Sequence, residues 1–245
     1  MTEHAIAAGK RTALEAIRAG VAQEVLVADD AEATAGLREL LDAARTSGIA
    51  VRRAPRTELD ALAVGHRGVV ARLSQPTAVL SERDLDRFPF DDDAFVVVLD
   101  GITDPQNLGA AARAAEVAGS AMLVTRIRRA AGVTPAAIRA SAGALSHLPH
   151  ARVANIARAI ERLKGHGFSV VGLDGRADDS IDDVPCPTGC VALVVGSEGH
   201  GISRLVRERC DVLVSLPMRG RVGSLNASSA LAAALWAYVL PTRRR

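Results

Sequence analysis

Three short stretches gather residue types that could do chemistry. "SLPMRGRVGSLNASSALAAALW", residues 215–236, runs from an apolar strand-like segment into a loop with two arginines, two glycines and an asparagine, then into a small-residue helix. So polar a loop between two core elements is either an ordinary turn or the holder of a ligand. "LVVGSEGHGIS", residues 193–203, stops a buried strand at Gly196 and sets Glu198 among Gly196, Gly199 and Gly201. That spacing implies a backbone that turns sharply or lies close to a ligand. Glu198 also suits a helix start, where it meets the helix dipole. "LDGITDPQNLGAAARAAE", residues 99–116, places Asn107 where it could cap a helix. It also places Arg113 among alanines, where an arginine commonly snorkels into solvent. Gly109 leaves room for a second backbone or a phosphate to approach the helix.

Familiar phosphate and nucleophile motifs do not fit. No Gly-Lys-[Ser/Thr] follows the second loop, and its glycine spacing is not that of a dinucleotide fingerprint. Ser197 directly follows Gly196, which excludes a nucleophile elbow.

The elements that must position these loops alternate. "AFVVVLDGI", "AMLVT", "FSVVGLD", "VALVVG" and "DVLVSLP" are continuous apolar, β-branched runs separated by helical patterns. Such runs belong to a parallel sheet covered on both faces. In open α/β sheets ligands bind beyond the carboxyl ends of the strands, where all three stretches lie. Residues 1–74 read as a separate small α/β unit: helix 11–19, strand 25–27, a helix ending at Gly48, a strand, a helix capped by Thr57, and a strand ending at Ser74. Residues 75–93, with two prolines and an acidic run, read as a linker with a short helix. Residues 94–245 read as the larger domain.

Composition narrows the function. Aromatic residues make up 2% of the chain, which argues against aromatic stacking platforms for single strands. Net charge is +2, but unevenly spread: residues 75–93 carry two basic and six acidic side chains, and residues 94–245 carry eighteen and twelve. The last segment is therefore mildly attractive to a polyanion. Three cysteines, Cys186, Cys190 and Cys210, suit a reducing compartment better than a disulfide framework. Cys186 and Cys190 with His200 and Cys210 make a poor zinc set, and no metal is expected. "MTEHAIAAGKRTALEAI" is interrupted by charges, unlike a signal peptide, and the weakly polar run 227–240 is too short to span a bilayer. The expectation is a cytoplasmic protein with no membrane association.

Taken together, "DPQNLGAAARAAEVAG", "LVVGSEGHGIS" and "SLPMRGRVGSLNASSALA" resemble, in order and in sequence, the three motifs of the SpoU (TrmH-like) family of RNA 2′-O-methyltransferases of the SPOUT class. "GKRTALEAIRAG" and "GHRGVVARLS" look like the two ends of the small RNA-binding domain, similar to ribosomal protein L30e, that precedes the catalytic domain in some members. The 23S rRNA guanosine-2′-O-methyltransferase subgroup is the most similar. The resemblance implies a SPOUT catalytic domain with a C-terminal trefoil knot, a homodimer, and S-adenosylmethionine as methyl donor. It implies cofactor contacts around Gly196, Leu216, Met218 and Leu225, with Gly172 a further candidate. It implies that Asn107, Arg113, Glu198, Ser224 and Asn226 serve catalysis.

Methyl transfer to a ribose hydroxyl is largely a positioning task. A guanidinium does not deprotonate in proteins, so Arg113 suits binding the neighbouring phosphate and stabilising charge on the 2′-oxygen better than acting as a base. Glu198 suits orienting that arginine or accepting the proton. RNA contacts are expected from Arg52, Arg53, Arg56, His66 and Arg67 in the small domain. In the catalytic domain they are expected from Arg126, Arg128, Arg129, Arg219 and Arg221. Two other readings compete: a dinucleotide-binding enzyme, whose glycine spacing loop 101–109 lacks, and a non-catalytic RNA-binding member of the fold. Transfer RNA or another ribosomal site is the alternative target.

Overall fold

The computed structural model describes residues 6–18, 21–73, 79–221 and 223–243. Residues 1–5, Ala19 and Ser74, the head of the expected linker at 75–78, Val222 in the third loop, and Arg244 and Arg245 lie outside the described residues.

The first unit comprises β1 (Ile6–Ala8), α1 (Lys10–Arg18), β2 (Ala22–Ala28), α2 (Ala35–Thr46), β3 (Ala50–Ala54), α3 (Arg56–Leu62) and β4 (Val69–Leu73). Its sheet has the order β1-β4-β2-β3, with β2 and β3 parallel and β4 antiparallel to both β1 and β2. Alternation along β2 sorts its side chains. Val25 and Val27 pack against Ile17 of α1 and Leu37 and Leu40 of α2, whereas Leu26 and Ala28 pack under Leu59 of α3. Helix α2 ends with Gly48 at φ +66, the left-handed stop that its sequence implied. Thr57 is not a cap: α3 begins at Arg56 after Pro55, with no side-chain cap bond.

The second unit comprises β5 (Val79–Leu80), β6 (Phe95–Asp100), α4 (Pro105–Val117), β7 (Met122–Arg126), α5 (Pro135–Ala140), β8 (His150–Val153), α6 (Ile156–Gly165), β9 (Ser169–Leu173), β10 (Val191–Gly196), α7 (Arg204–Arg207), β11 (Val212–Val214) and α8 (Ala227–Ala234). Short 3-10 turns occupy Leu85–Arg87 and Ala144–Ser146, and a π turn, Leu235–Val239, continues α8. The sheet order is β11-β9-β10-β6-β7-β8-β5, every pairing parallel. The first half of the expected linker therefore supplies an edge strand, β5, paired with β8. The helix expected around 135–146 breaks after Ala140, because Ala142 and Gly143 both take positive φ.

All six residues of β6 and of β10 are buried. Phe95, Val97 and Leu99 face a core with α4 and α8, and Val96 and Val98 face one with α6. Two covered faces account for the uninterrupted apolar runs. Register aligns the strand ends: Gly196 of β10 pairs with Asp100 of β6, Val195 with Leu173 of β9, and Leu173 with Val214 of β11. The loops after these four strands therefore leave one edge of the sheet side by side.

Gly109 serves a helix contact. A Cβ there would lie 2.3 Å from the Ala137 carbonyl oxygen and 2.6 Å from Ala140 Cβ, so the second backbone it admits is that of α5. No helix among the described residues is long and apolar enough to cross a membrane.

Candidate active site

The first loop is anchored at the end of β6. Asp100 is buried, accepts the Ser203 backbone N–H at 2.8 Å and pairs with Arg126 at 3.1 Å. It thereby ties the second loop to the first. Helix α4 starts one turn earlier than Asn107: the cap is Asp104, which accepts from Gln106 N at 2.9 Å. Asn107 is thus released from capping and lies in the first turn of α4.

The second loop folds back on itself. Ser197 and Gly201 exchange backbone hydrogen bonds of 3.1 and 2.8 Å, with Gly199 at φ +77 and Gly201 at φ +68. A Cβ on Gly196 would lie 2.0 Å from the Gly201 carbonyl carbon, so this glycine is demanded by the chain's own backbone. The turn presents Glu198.

The third loop ends at Asn226, which caps α8 by accepting from Ser228 N at 2.9 Å and Ser229 N at 3.3 Å. That fixes its amide. With Oδ1 facing N–H donors, Nδ2 must point away, and it donates to Asn107 Oδ1 at 2.7 Å. Asn107 Nδ2 must then point onward, and it donates to Glu198 Oε1 at 2.9 Å. The same oxygen receives Ala227 N at 3.5 Å. One directional chain of hydrogen bonds joins the three loops and ends on a carboxylate, the group able to accept at its terminus.

Beside this chain lies a cavity of about 410 Å³, within the range of small-molecule sites. Its walls are Leu173–Arg176, Val195–Gly201, Leu216, Met218, Gly223–Leu225, Ala227 and Ala230. Met218 and Leu225 are large apolar side chains left 41% and 44% exposed at this wall, a suitable shelf for a flat apolar face. A Cβ on Gly175, Gly199 or Gly223 would meet nothing within 4 Å, so open space lies next to these backbones. Apolar shelf, bare backbone and a few hydroxyls match what a nucleoside carrying an amino-acid tail requires.

Sequence reasoning missed the fourth loop. Asp174 is buried and accepts from Arg176 N at 3.0 Å, Arg176 Nε at 3.2 Å and Arg207 Nη1 at 3.1 Å. Burial alone would raise its pKa, but the hydrogen bonds and charge of Arg176, with Arg207, outweigh it and hold the carboxyl below its ordinary value. Arg176 Nη2 also reaches the His200 carbonyl at 3.3 Å, linking the fourth loop to the second. A signal existed: Leu-Asp-Gly occurs at 99–101 and again at 173–175, each time at a strand end with the aspartate buried.

The structure gathers Gly196, Glu198, Leu216, Met218, Ser224 and Leu225 around the cavity, with Asn107 and Asn226 joined to Glu198. Gly172 is not among the walls. It is buried on the other side, where a Cβ would lie 2.7 Å from Leu213 Cδ2 and 2.9 Å from Cys210 Sγ. Arg113 is exposed on α4, and its side chain makes no hydrogen bond or ion pair with another described residue. Arg126, expected to meet RNA, is instead the counter-ion of Asp100. Of the small-domain set, Arg52 pairs with Glu24 and Glu58, Arg53 donates to the Ala28 carbonyl, and Arg56 pairs with Asp30. His66 is 4% exposed and cannot serve as a surface contact. Arg67, Arg128, Arg129, Arg219 and Arg221 are exposed and make no ion pair with another described residue.

Comparison with known proteins establishes the family of the chain. Residues 94–236 match the SpoU rRNA Methylase family, and residues 6–79 match the RNA 2′-O ribose methyltransferase substrate-binding family. An uncharacterized tRNA/rRNA methyltransferase of Mycolicibacterium vanbaalenii is 41% identical over 233 residues, 92% of this chain and 73% of that protein. YacO of Bacillus subtilis, assigned to the TrmH family of tRNA/rRNA methyltransferases, is 39% identical over 209 residues, 84% of this chain and 83% of that protein. Among solved structures, the SpoU methyltransferase AviRb from Streptomyces viridochromogenes, in complex with AdoMet, superposes with a TM-score of 0.68 at 30% identity, covering 96% of this chain and 89% of AviRb. The chain belongs to the SpoU rRNA methylase family.

Proposed function

We propose that the protein transfers a methyl group from S-adenosylmethionine to a ribose 2′-hydroxyl of RNA, with a guanosine of 23S rRNA as its target. The observation that carries this reading is the Asn226–Asn107–Glu198 chain, which ends on a carboxylate at the wall of a nucleoside-sized cavity. The AdoMet complex of AviRb and the substrate-binding match of residues 6–79 support it.

Leu216, Met218 and Leu225 with the bare backbone of Gly199 and Gly223 would hold the cofactor, which when bound supplies an activated methyl group on a sulfonium. Glu198 Oε1 is occupied by Asn107 and Ala227, whereas Oε2 makes no hydrogen bond among the described residues. Glu198 Oε2 is thus the atom offered to the ribose proton or to a guanidinium. Arg113, unengaged by described carboxylates, binds the phosphate beside the reacting ribose and stabilises negative charge on its oxygen. Ser224 lies at the cavity wall and contributes a hydroxyl to the ribose side. Arg128, Arg129, Arg219 and Arg221 extend the cationic surface toward RNA.

The trefoil knot, the homodimer, the L30e-like character of the small domain and a cytoplasmic location belong to the same proposal. Supporting the knot, β11 lies outside β9, and the chain then returns past the cavity so that α8 reaches α4. Supporting a dimer, Val117 at the end of α4 is 62% exposed and Trp236 just beyond α8 is 44% exposed.

The test is methyl transfer from labelled S-adenosylmethionine to in-vitro-transcribed 23S rRNA and to bulk tRNA, followed by mapping of the modified ribose. Incorporation at a 23S guanosine supports the reading. Incorporation into tRNA alone moves the target, and no incorporation into either with cofactor bound removes the activity.

A further inference from the structure

The small domain carries its uncompensated positive charge at a place other than the arginine-rich strand. Arg52, Arg53 and Arg56 lie in sequence where RNA contacts are expected, yet each is engaged by the domain's own acceptors. Removing them to RNA would break existing bonds and leave Glu24, Glu58 and Asp30 facing the phosphates.

Beside them, register creates a different cluster. Ala8 of β1 pairs with Val70 of β4, and Gly9 N donates to the Val69 carbonyl at 2.9 Å. The segment leaving β1 therefore runs alongside the turn entering β4. That turn, Gly65-His66-Arg67-Gly68, is rigidly built. His66 Nδ1 accepts from Gly68 N at 3.0 Å, so Nε2 carries the proton that it donates to Asp60 Oδ1 at 2.8 Å. With His66 buried beneath, Arg67 is held outward at φ +48, between glycines at φ +73 and φ +81. Left-handed backbone is costly for a residue with a Cβ, and such strain persists only where the surroundings fix it. A glycine would fold here at less cost.

Lys10, Arg11 and Arg67 line one cavity of about 490 Å³. Lys10 Nζ is held at 3.0 Å by a hydroxyl, Thr34 Oγ1, rather than by a carboxylate. Among the described residues Arg11 pairs only with Glu15, at 3.5 Å with its own side chain 94% exposed. Arg67 has no ion-pair partner among the described residues. Three basic residues thus border one open space, with a single exposed carboxylate, Glu15, as ion-pair partner among the described residues.

We infer that Lys10, Arg11 and Arg67 form the small domain's contact with the RNA phosphodiester backbone, with buried His66 holding Arg67 in place. The inference rests on the reading of RNA as substrate and assigns where the small domain grips it.

The test uses the full chain and in-vitro-transcribed 23S rRNA, with affinity measured across a salt series. S-adenosylmethionine binding and thermal unfolding are measured in parallel. Removing three phosphate contacts is expected to weaken RNA binding by about 100-fold at low salt and to reduce the log-log salt slope by about 2 in the Lys10→Ala/Arg11→Ala/Arg67→Gly variant. Arg67→Gly alone weakens binding several-fold while its melting temperature stays level or rises, which excludes misfolding as the cause. Arg45→Ala, on an exposed face of α2, controls for charge alone. Unchanged affinity and slope in the triple variant, or a loss seen only in Arg52→Ala/Arg56→Ala, overturns the inference. Wild-type protein that binds S-adenosylmethionine but no RNA overturns the functional reading, and the inference with it.

Discussion

Asn226 donates a 2.7 Å hydrogen bond to Asn107 across 119 positions of sequence, and that bond closes the site. Asn226 caps α8 and Asn107 lies in the first turn of α4, so the orientation of two amides links two packed helices to the Glu198 turn.

Breaking the middle link is therefore expected to disorder the site more than the fold. Asn107→Ala removes bonds to both neighbours, and methyl transfer is expected to fall by about 100-fold or more through mispositioning. Stability is expected to drop by only about 1–2 kcal/mol, the net worth of the bonds. Asn107→Asp provides the sharper comparison, because it keeps the acceptor for Asn226 but sets a second carboxylate against Glu198. Single-turnover rates and urea unfolding of both variants check this.

Arg113 gives the opposite separation. It is exposed and has no described partner, so Arg113→Ala is expected to leave stability within about 0.5 kcal/mol. Cofactor affinity by calorimetry is expected to stay unchanged while methyl transfer is abolished. A lost cofactor site would contradict its placement on the RNA side.

Two glycines at the cavity are expected to behave differently. Gly196→Val drives a side chain into the backbone at Gly201 and is expected to cost about 3 kcal/mol as well as cofactor binding. Gly223→Val meets no atom within 4 Å and requires no left-handed backbone. It is expected to fold like wild type and to weaken S-adenosylmethionine binding. Thermal shift with and without cofactor distinguishes the pair.

His150 makes stability depend on pH. It is buried in β8, shares a 2.8 Å hydrogen bond with Thr125, and its Nδ1 has no partner among the described residues. Burial, helped by the charge of Arg152, pushes its pKa from the ordinary 6.5 down to about 4. As pH falls the unfolded chain takes up the proton first, so stability is full above about 6.5 and is lost progressively toward 4. Between pH 7 and pH 5 the loss is expected to be about 2 kcal/mol. Urea unfolding at both values, with His150→Gln as the variant lacking this dependence, checks it.

The two predicted α/β units, the β-branched strands and the three loops after them were legible because periodicity and glycine spacing are local properties. Capping was legible only in part. Thr57 and Asn107 each suit a cap chemically, but Pro55 and Asp104 hold those positions, and a shift of a few residues is within what several adjacent polar groups permit. Strand β1 escaped notice because three residues carry no pattern, and β4 decides their pairing.

By itself the sequence determined that apolar strands end in polar, glycine-rich loops carrying Asn107, Glu198 and Asn226. Only the tertiary structure decided what each glycine and arginine is for. Gly196 and Gly109 make room for the chain's own backbone, whereas Gly223 borders open space. Arg126 neutralises Asp100, Arg52 and Arg56 neutralise their own neighbours, and Arg67 has no ion-pair partner among the described residues. Charge and size are written in the sequence, but whether a charge is already spent or a space already filled depends on partners brought together by strand register. Glu24 and Asp100 are distant from those arginines along the chain and adjacent to them only in the fold.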